Sequence, residues 1–260
     1  MKAMCKMNTL STLAVASVLA LAAGAASAAT ITVASVTGEW TAWTGGDESV
    51  AIVAGNPTQM SWGNQGKGAR SGYDFLGLMP PELTFQHDEI ITIGEFSHRN
   101  YSIPDYAAIT QATLQVAFSF WLDSDTHDPA SLRTIVSTFV FDHNETPNHP
   151  KSGMCPNGDA VEVGINLRGC ADNVFASTNT GASSTVEIDG QEYLLSVSGF
   201  LISGAPMDEF WTQEGKRNTA QLTAQFTQVP PAPVPLPAAG LLMLGGLGAL
   251  GAATRRRKAA

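Results

Sequence analysis

Thr113-Leu114-Gln115-Val116-Ala117-Phe118-Ser119-Phe120 alternates strictly, with Leu114, Val116, Phe118 and Phe120 on one side and Thr113, Gln115, Ala117 and Ser119 on the other. A period of two sends successive side chains to opposite faces of an extended chain, so this stretch reads as a strand with one face in a core. The pattern returns further on. Ile135, Ser137, Phe139 and Phe141 interleave with Val136, Thr138 and Val140, and Ala220, Leu222, Ala224 and Phe226 interleave with Gln221, Thr223, Gln225 and Thr227. Composition and alternation predict further strands near 31–36, 90–96, 160–167 and 193–202. Turn signals separate them: Gly45-Gly46-Asp47, Gly55-Asn56-Pro57, Asn157-Gly158-Asp159 and Asp189-Gly190. The last of these, set between two short β-prone runs, reads as a tight hairpin turn. Outside the two ends no helical stripe exceeds about two turns. The expectation is an all-β domain over residues 29–228, an antiparallel β-sandwich of jelly-roll-like form. The spacing also admits a closed barrel.

Both ends read as addresses. Lys2 and Lys6 precede an apolar run from Leu10 to Ala23, and Ala26-Ser27-Ala28 has the small-x-small form of a cleavage site. Residues 1–28 are therefore expected to be a secretory signal peptide, which takes Cys5 with it. At the other end, Val229-Pro230-Pro231-Ala232-Pro233 begins a Pro-rich stalk over 229–237, held extended at about 3 Å per residue. Val234-Pro235-Leu236-Pro237-Ala238 follows, then an apolar, glycine-rich stretch to Ala253, then Arg255-Arg256-Arg257-Lys258. About 20 apolar residues are enough to span a bilayer. The basic cluster beyond them would stay cytoplasmic. Residues 238–260 are thus expected to be a transmembrane helix with a basic tail.

This trio of proline motif, helix and arginine cluster resembles the PEP-CTERM family of C-terminal sorting signals in its V-P-L-P-A variant. Val234, Pro235, Leu236, Pro237 and Ala238 match that motif letter for letter, and Arg255, Arg256 and Arg257 supply the cluster. The resemblance implies export across the inner membrane of a Gram-negative bacterium and processing by an exosortase-type membrane protease. It also implies a destination in the envelope, at the cell surface or in the extracellular matrix, in association with exopolysaccharide and biofilm. A plain anchor helix that no enzyme cuts is the other reading of the same tail.

Six of the 14 Lys and Arg residues lie in the terminal signals, so 8 remain against 23 Asp and Glu, a net charge of −15 for the exported part. So acidic a surface repels nucleic acid and argues against a nucleic-acid partner. Two cysteines remain, Cys155 and Cys170. In an exported protein an even pair points to one disulfide, with free thiols the alternative.

Inside the domain, Gly94-Glu95-Phe96-Ser97-His98-Arg99-Asn100 and Phe141-Asp142-His143-Asn144-Glu145-Thr146-Pro147-Asn148 are similar to the two marker segments of a PEP-CTERM subfamily called THxN. Ser97 stands where the subfamily's name has threonine. Ser61-Trp62-Gly63, Ser71-Gly72-Tyr73 and the cysteine pair fit the same pattern. The subfamily carries no activity that the resemblance could transfer.

Several residues have two readings. His98, Asn100, His143, Asn144, Glu145, Thr146, Pro147 and Asn148 lie at the ends of alternating segments, where Asn and Asp commonly bond loop backbone. Alternatively His98, His143, His149 and Asp142 converge on a metal, although no zinc-motif spacing is present. Asp123, Asp125 and Asp128 share a loop whose oxygens suit Ca²⁺, or else form a solvated acidic turn. Glu95 and Glu145 flank the two histidines as a glycosidase acid/base pair would. No Gly-x-Ser-x-Gly elbow or His-Glu-x-x-His motif occurs, and no catalytic residue is expected. Trp40, Trp43, Trp62 and Trp211 either stack on sugar rings or plug the ends of the core.

Overall fold

The computed structural model describes residues 29–63, 69–78, 83–123 and 125–230. Two antiparallel sheets pack face to face. The first runs in the order β13 (Glu209–Thr212), β9 (Asp172–Thr178), β8 (Arg133–Asn144), β7 (Ile109–Leu122), β1 (Thr30–Gly45) and β5 (Thr84–Gln86). The second runs β10 (Val186–Ile188), β11 (Gln191–Ile202), β14 (Lys216–Gln228), β6 (Ile91–Asn100), β4 (Ser71–Gly77), β3 (Thr58–Trp62) and β2 (Ala51–Val53), with β12 (Ala205–Met207) paired to β11. The expected signal peptide at 1–28, most of the expected stalk at 229–237, the expected sorting motif at 234–238, and the expected helix and Arg255–Arg257 cluster lie outside the described residues. Among the described residues no helix is long and apolar enough to cross a membrane.

The alternation in 113–120 does what its period demands. Leu114, Val116, Phe118 and Phe120 are fully buried, and β7 pairs with β8 in a register that sets Leu114 opposite Phe139 and Phe118 opposite Ile135. On its other side β7 carries β1, with Val36 opposite Phe118 and Trp40 opposite Leu114. Register shifts at Val33/Ser35 and Trp40/Ala42 bend β1, as an extra residue in one strand does. From the second sheet Phe96 stacks on Phe141 of the first at 4.9 Å between ring centroids. Trp40 meets Phe141 edge-on at 5.5 Å and Tyr73 at 5.6 Å. Trp40 and Trp62 are buried, so they plug the core. Asp189 and Gly190 both take positive φ, which brings Ile188 opposite Gln191 and makes the expected hairpin turn.

The strand expected at 160–167 is absent. That segment is a loop with a 3₁₀ turn at Gly164–Asn166 and isolated bridges at Ala160 and Leu167. Glu162 and Gly164 have positive φ, which breaks an extended run. Asn166 is buried and organises the loop. Its Nδ2 donates to Asn157 Oδ1 at 3.0 Å and its Oδ1 accepts from Ala171 N at 3.0 Å. Cys155 and Cys170 are disulfide-bonded across this loop, as expected. Closing a loop with a sequence separation of 15 stabilises by about 3 kcal/mol in the chain-entropy model. Urea unfolding with and without reductant is expected to differ by that amount. Equal midpoints would show that the bridge constrains nothing in the unfolded chain.

Candidate functional site

The two histidine-bearing segments end on facing strands. His98 lies on β6 of the second sheet and His143 on β8 of the first, and both side chains point into the space between the sheets. Their rings stand perpendicular, with centroids 5.1 Å apart. Trp62 stacks on His98 at 5.9 Å and meets His143 edge-on at 5.4 Å, while Tyr73 packs edge-on against both. The imidazoles thus sit in an aromatic box at one end of the core.

Hydrogen bonds fix one ring and constrain the other. The Thr212 hydroxyl donates to the Asp172 carbonyl at 3.2 Å, so it accepts from His98 Nδ1 at 2.8 Å. That assignment puts the proton of His98 on Nδ1 and a lone pair on Nε2. Asn100 donates Nδ2 to the Thr212 carbonyl at 3.0 Å and holds the same strand in place. His143 Nδ1 lies 2.6 Å from the Tyr73 hydroxyl, and its Nε2 lies 3.3 Å from Glu145 Oε2.

Carboxyl groups complete the cluster. Asp172, the first residue of β9, is fully buried; its Oδ1 accepts from Thr146 N at 2.8 Å. Glu214, in the turn between β13 and β14, is 2% exposed. One ligand atom each from His98, His143 and Asp172 lies within 4.8 Å of the others, and the same holds for Glu145, Asp172 and Glu214. Five buried atoms here have no hydrogen-bond partner among the described residues: Trp62 Nε1, His98 Nε2, Asn100 Oδ1, Asp172 Oδ2 and Glu214 Oε1.

Burial sets the charges. It holds His98 well below its ordinary pKa, aided by neighbouring His143. It lowers His143 to about 4, against the pull of Asp172. Burial pushes Asp172 well up, and the Glu145 carboxylate adds to this; the same two causes raise Glu214 to about 7. The imidazoles are therefore neutral near pH 7, the form in which a histidine ligates a metal. A bound cation would draw the protons off the carboxyls.

The marker residues divide accordingly. Thr146 donates its hydroxyl to the Ala171 carbonyl at 3.1 Å, and Cys170 N donates to the Asn148 carbonyl at 3.2 Å. Residues 144–148 thereby strap the disulfide loop and position Asp172. Asn144 and Pro147 are exposed. The reading of His98 and His143 as strand-end caps is replaced by burial in the core, because both lie on the inward-facing side of their strands. The proposed convergence holds for these two residues and not for the others named with them. His149 is exposed, and Asp142 points outward, where it accepts from Gln111 Nε2 at 2.9 Å.

The calcium expectation at Asp123, Asp125 and Asp128 is not carried by the geometry. Asp125 Oδ2 accepts from Leu122 N at 2.9 Å and pairs with Arg133 at 3.5 Å. Asp128 caps the amides of Ala130 and Ser131 at 2.8 and 3.0 Å. Among the described residues, these three carboxylates do not form a converging group. Glu95 lies on an exposed position of β6 beside Leu76 and Gln221, whereas Glu145 contacts His143, so the two do not form an acid/base pair.

Neither a protein-family model nor a curated protein matches this chain. Sequence pattern alone does not point to Asp172 or Glu214. The only signal for Asp172 is its place two residues after Cys170, and Glu214 has none beyond a Glu-Gly turn.

Proposed function

We propose that this is an exported, non-catalytic protein of the surface or extracellular matrix of a Gram-negative bacterium, delivered by a PEP-CTERM-type signal. An exosortase-type membrane protease is the processing partner, and the inner membrane holds the chain before processing. In this reading the packed sheets are a jelly-roll-like β-sandwich carried on a Pro-rich stalk and a C-terminal helix, in association with exopolysaccharide. The observation that carries it is the order of motifs in the C-terminal sequence: Val234–Ala238, then the apolar run, then Arg255–Arg257. The Cys155–Cys170 disulfide supports an oxidising compartment. The strongly acidic body suits solubility outside the cell.

Glycan binding through tryptophan faces has less support, because Trp40 and Trp62 are buried while Trp43 is 44% exposed. Trp211 is half-buried and donates to Glu209 at 3.0 Å. Mass analysis of the mature chain from its host tests the sorting signal. The expected chain begins near Ala29 and lacks Arg255–Lys258. A mature chain that keeps those four residues would sink the processing step and leave a plain anchor.

A further inference from the structure

We propose that His98, His143 and Asp172, with Glu145 or Glu214 as the fourth ligand, form a binding site for one divalent transition-metal ion such as Zn²⁺. The site would tie the two sheets together at one end of the core. It is independent of the sorting tail and of any association with exopolysaccharide.

Three observations converge on it. First, the donor set is two imidazoles and carboxylate oxygens, which suits zinc and its neighbours in the first row better than calcium or magnesium. Second, His98 Nε2 and Asp172 Oδ2 belong to fully buried side chains and have no hydrogen-bond partner among the described residues. Buried polar atoms are nearly always satisfied, and an unmet one calls for a water or an ion. The Thr212 bond leaves the His98 lone pair on that same Nε2. Third, the outer shell is built. Thr212 holds His98 by Nδ1, Tyr73 holds His143 by Nδ1, and Thr146 N holds Asp172 by Oδ1. The opposite atoms are His98 Nε2 and Asp172 Oδ2, which have no partner among the described residues, and His143 Nε2, which lies 3.3 Å from Glu145 Oε2; ligands around metals are commonly oriented by such outer bonds.

The dimensions agree. Ligand atoms of a tetrahedral ion bonded at about 2.0–2.1 Å stand about 3.3 Å apart. His143 Nε2 and Glu145 Oε2 are 3.3 Å apart. One ligand atom each from His98, His143 and Asp172 lies within 4.8 Å of the others, a separation that closes toward about 3.3 Å when one tetrahedral ion binds them. A surface cleft lined by Ala108, Thr110, His143, Glu145 and Pro147 offers a route in from solvent.

The ligands come from both layers. His98 belongs to the second sheet, His143 and Asp172 to the first, and Glu214 to the turn that joins them. Such an ion would be a crosslink with a closed shell of protein ligands, which is the character of a structural metal site.

The test uses the full chain, purified without a histidine tag and stripped with chelator. Zn²⁺ is titrated against a chromogenic competitor, and X-ray absorption is recorded on the loaded protein. One equivalent is expected, in a shell of two imidazoles and carboxylate oxygens. Asp172→Asn and His143→Gln are expected to weaken binding by more than the roughly 10–100-fold that loss of an outer-shell partner costs, and Glu214→Gln or Glu145→Gln more modestly. Exposed His149→Gln is the control and should change nothing. Absence of saturable uptake, uptake that survives Asp172→Asn and His143→Gln, or a shell lacking imidazole would overturn the proposal. The absorption spectrum of the unaltered chain decides the matter even where a variant fails to fold.

Discussion

Phe141→Ala is expected to lower the stability of the domain by about 4 kcal/mol, read as a shift of the urea midpoint at unchanged slope. Phe141 is fully buried on the inner face of β8. It is one of the points at which the first sheet meets the second. It stacks on Phe96 at 4.9 Å, meets Trp40 at 5.5 Å and Tyr73 at 6.3 Å, and reaches Phe200 at 6.5 Å. Removing the ring loses both its transfer free energy and its contacts, and rigid sheets on either side cannot close the void. Domains of this class have about 5–15 kcal/mol to lose, so the variant sits near the folding threshold. Phe175→Ala is the comparison. Phe175 is 46% exposed, and the change should stay within about 0.5 kcal/mol. Equal effects for the two would mean that the inter-sheet stack contributes nothing special.

Gly77→Ala should be about as damaging, at about 3 kcal/mol or more, the upper end of what overpacking costs. A Cβ built on Gly77 would stand 2.0 Å from the Val36 carbonyl oxygen and 2.6 Å from its carbon. Those are backbone atoms of β1 in the opposite sheet, and they cannot rotate aside. The approach is close because the two layers are stitched there, with Val36 N donating to the Leu78 carbonyl at 3.1 Å. Gly77 N also donates to Asn56 Oδ1 at 3.0 Å. Gly153→Ala separates sterics from backbone preference. Gly153 has φ +70 and open space around its Cβ direction, so only the left-handed conformation is penalised, by about 1 kcal/mol. Thermal melts of the two variants should rank Gly77→Ala well below Gly153→Ala; the reverse order would mean that the sheets separate at Gly77 without cost.

Strands that bury one face were legible because period two is a local property of the chain. Residues 113–120, 135–141 and 220–226 all fall within strands whose apolar side is inside. The segment at 160–167 failed the same reading because a buried Asn166 and positive φ at Glu162 and Gly164 override its composition. Two strands that help build the site carry no clear sequence signal. β9 opens on Asp172 and Asn173, and β13 is only Glu209–Thr212. Short strands with polar openings carry little alternation.

The candidate site divides in the same way. His98 and His143 drew notice as motif residues, but their distance in sequence gives no hint that their rings would stand 5.1 Å apart. That closeness follows from pairing β6 with β14 in one sheet and β8 with β7 and β9 in the other, then packing the sheets through Phe96 and Phe141. The acidic loop at 123–128 shows the converse. Carboxylates adjacent in sequence turned to backbone amides and Arg133, because local hydrogen bonds close at hand satisfy them first.

The sequence by itself determined the β-strand character, the acidic surface charge and the cysteine pair available for a bridge, since each depends on residue type or on spacing along the chain. The tertiary structure alone decided that Asp172 joins the histidines, that Glu214 meets Asp172 and Glu145, that Trp62 lines the histidine box, and that Asp142 and His149 stand apart. Convergence of groups from five separate segments is set by strand register and sheet packing, and those depend on the whole core at once.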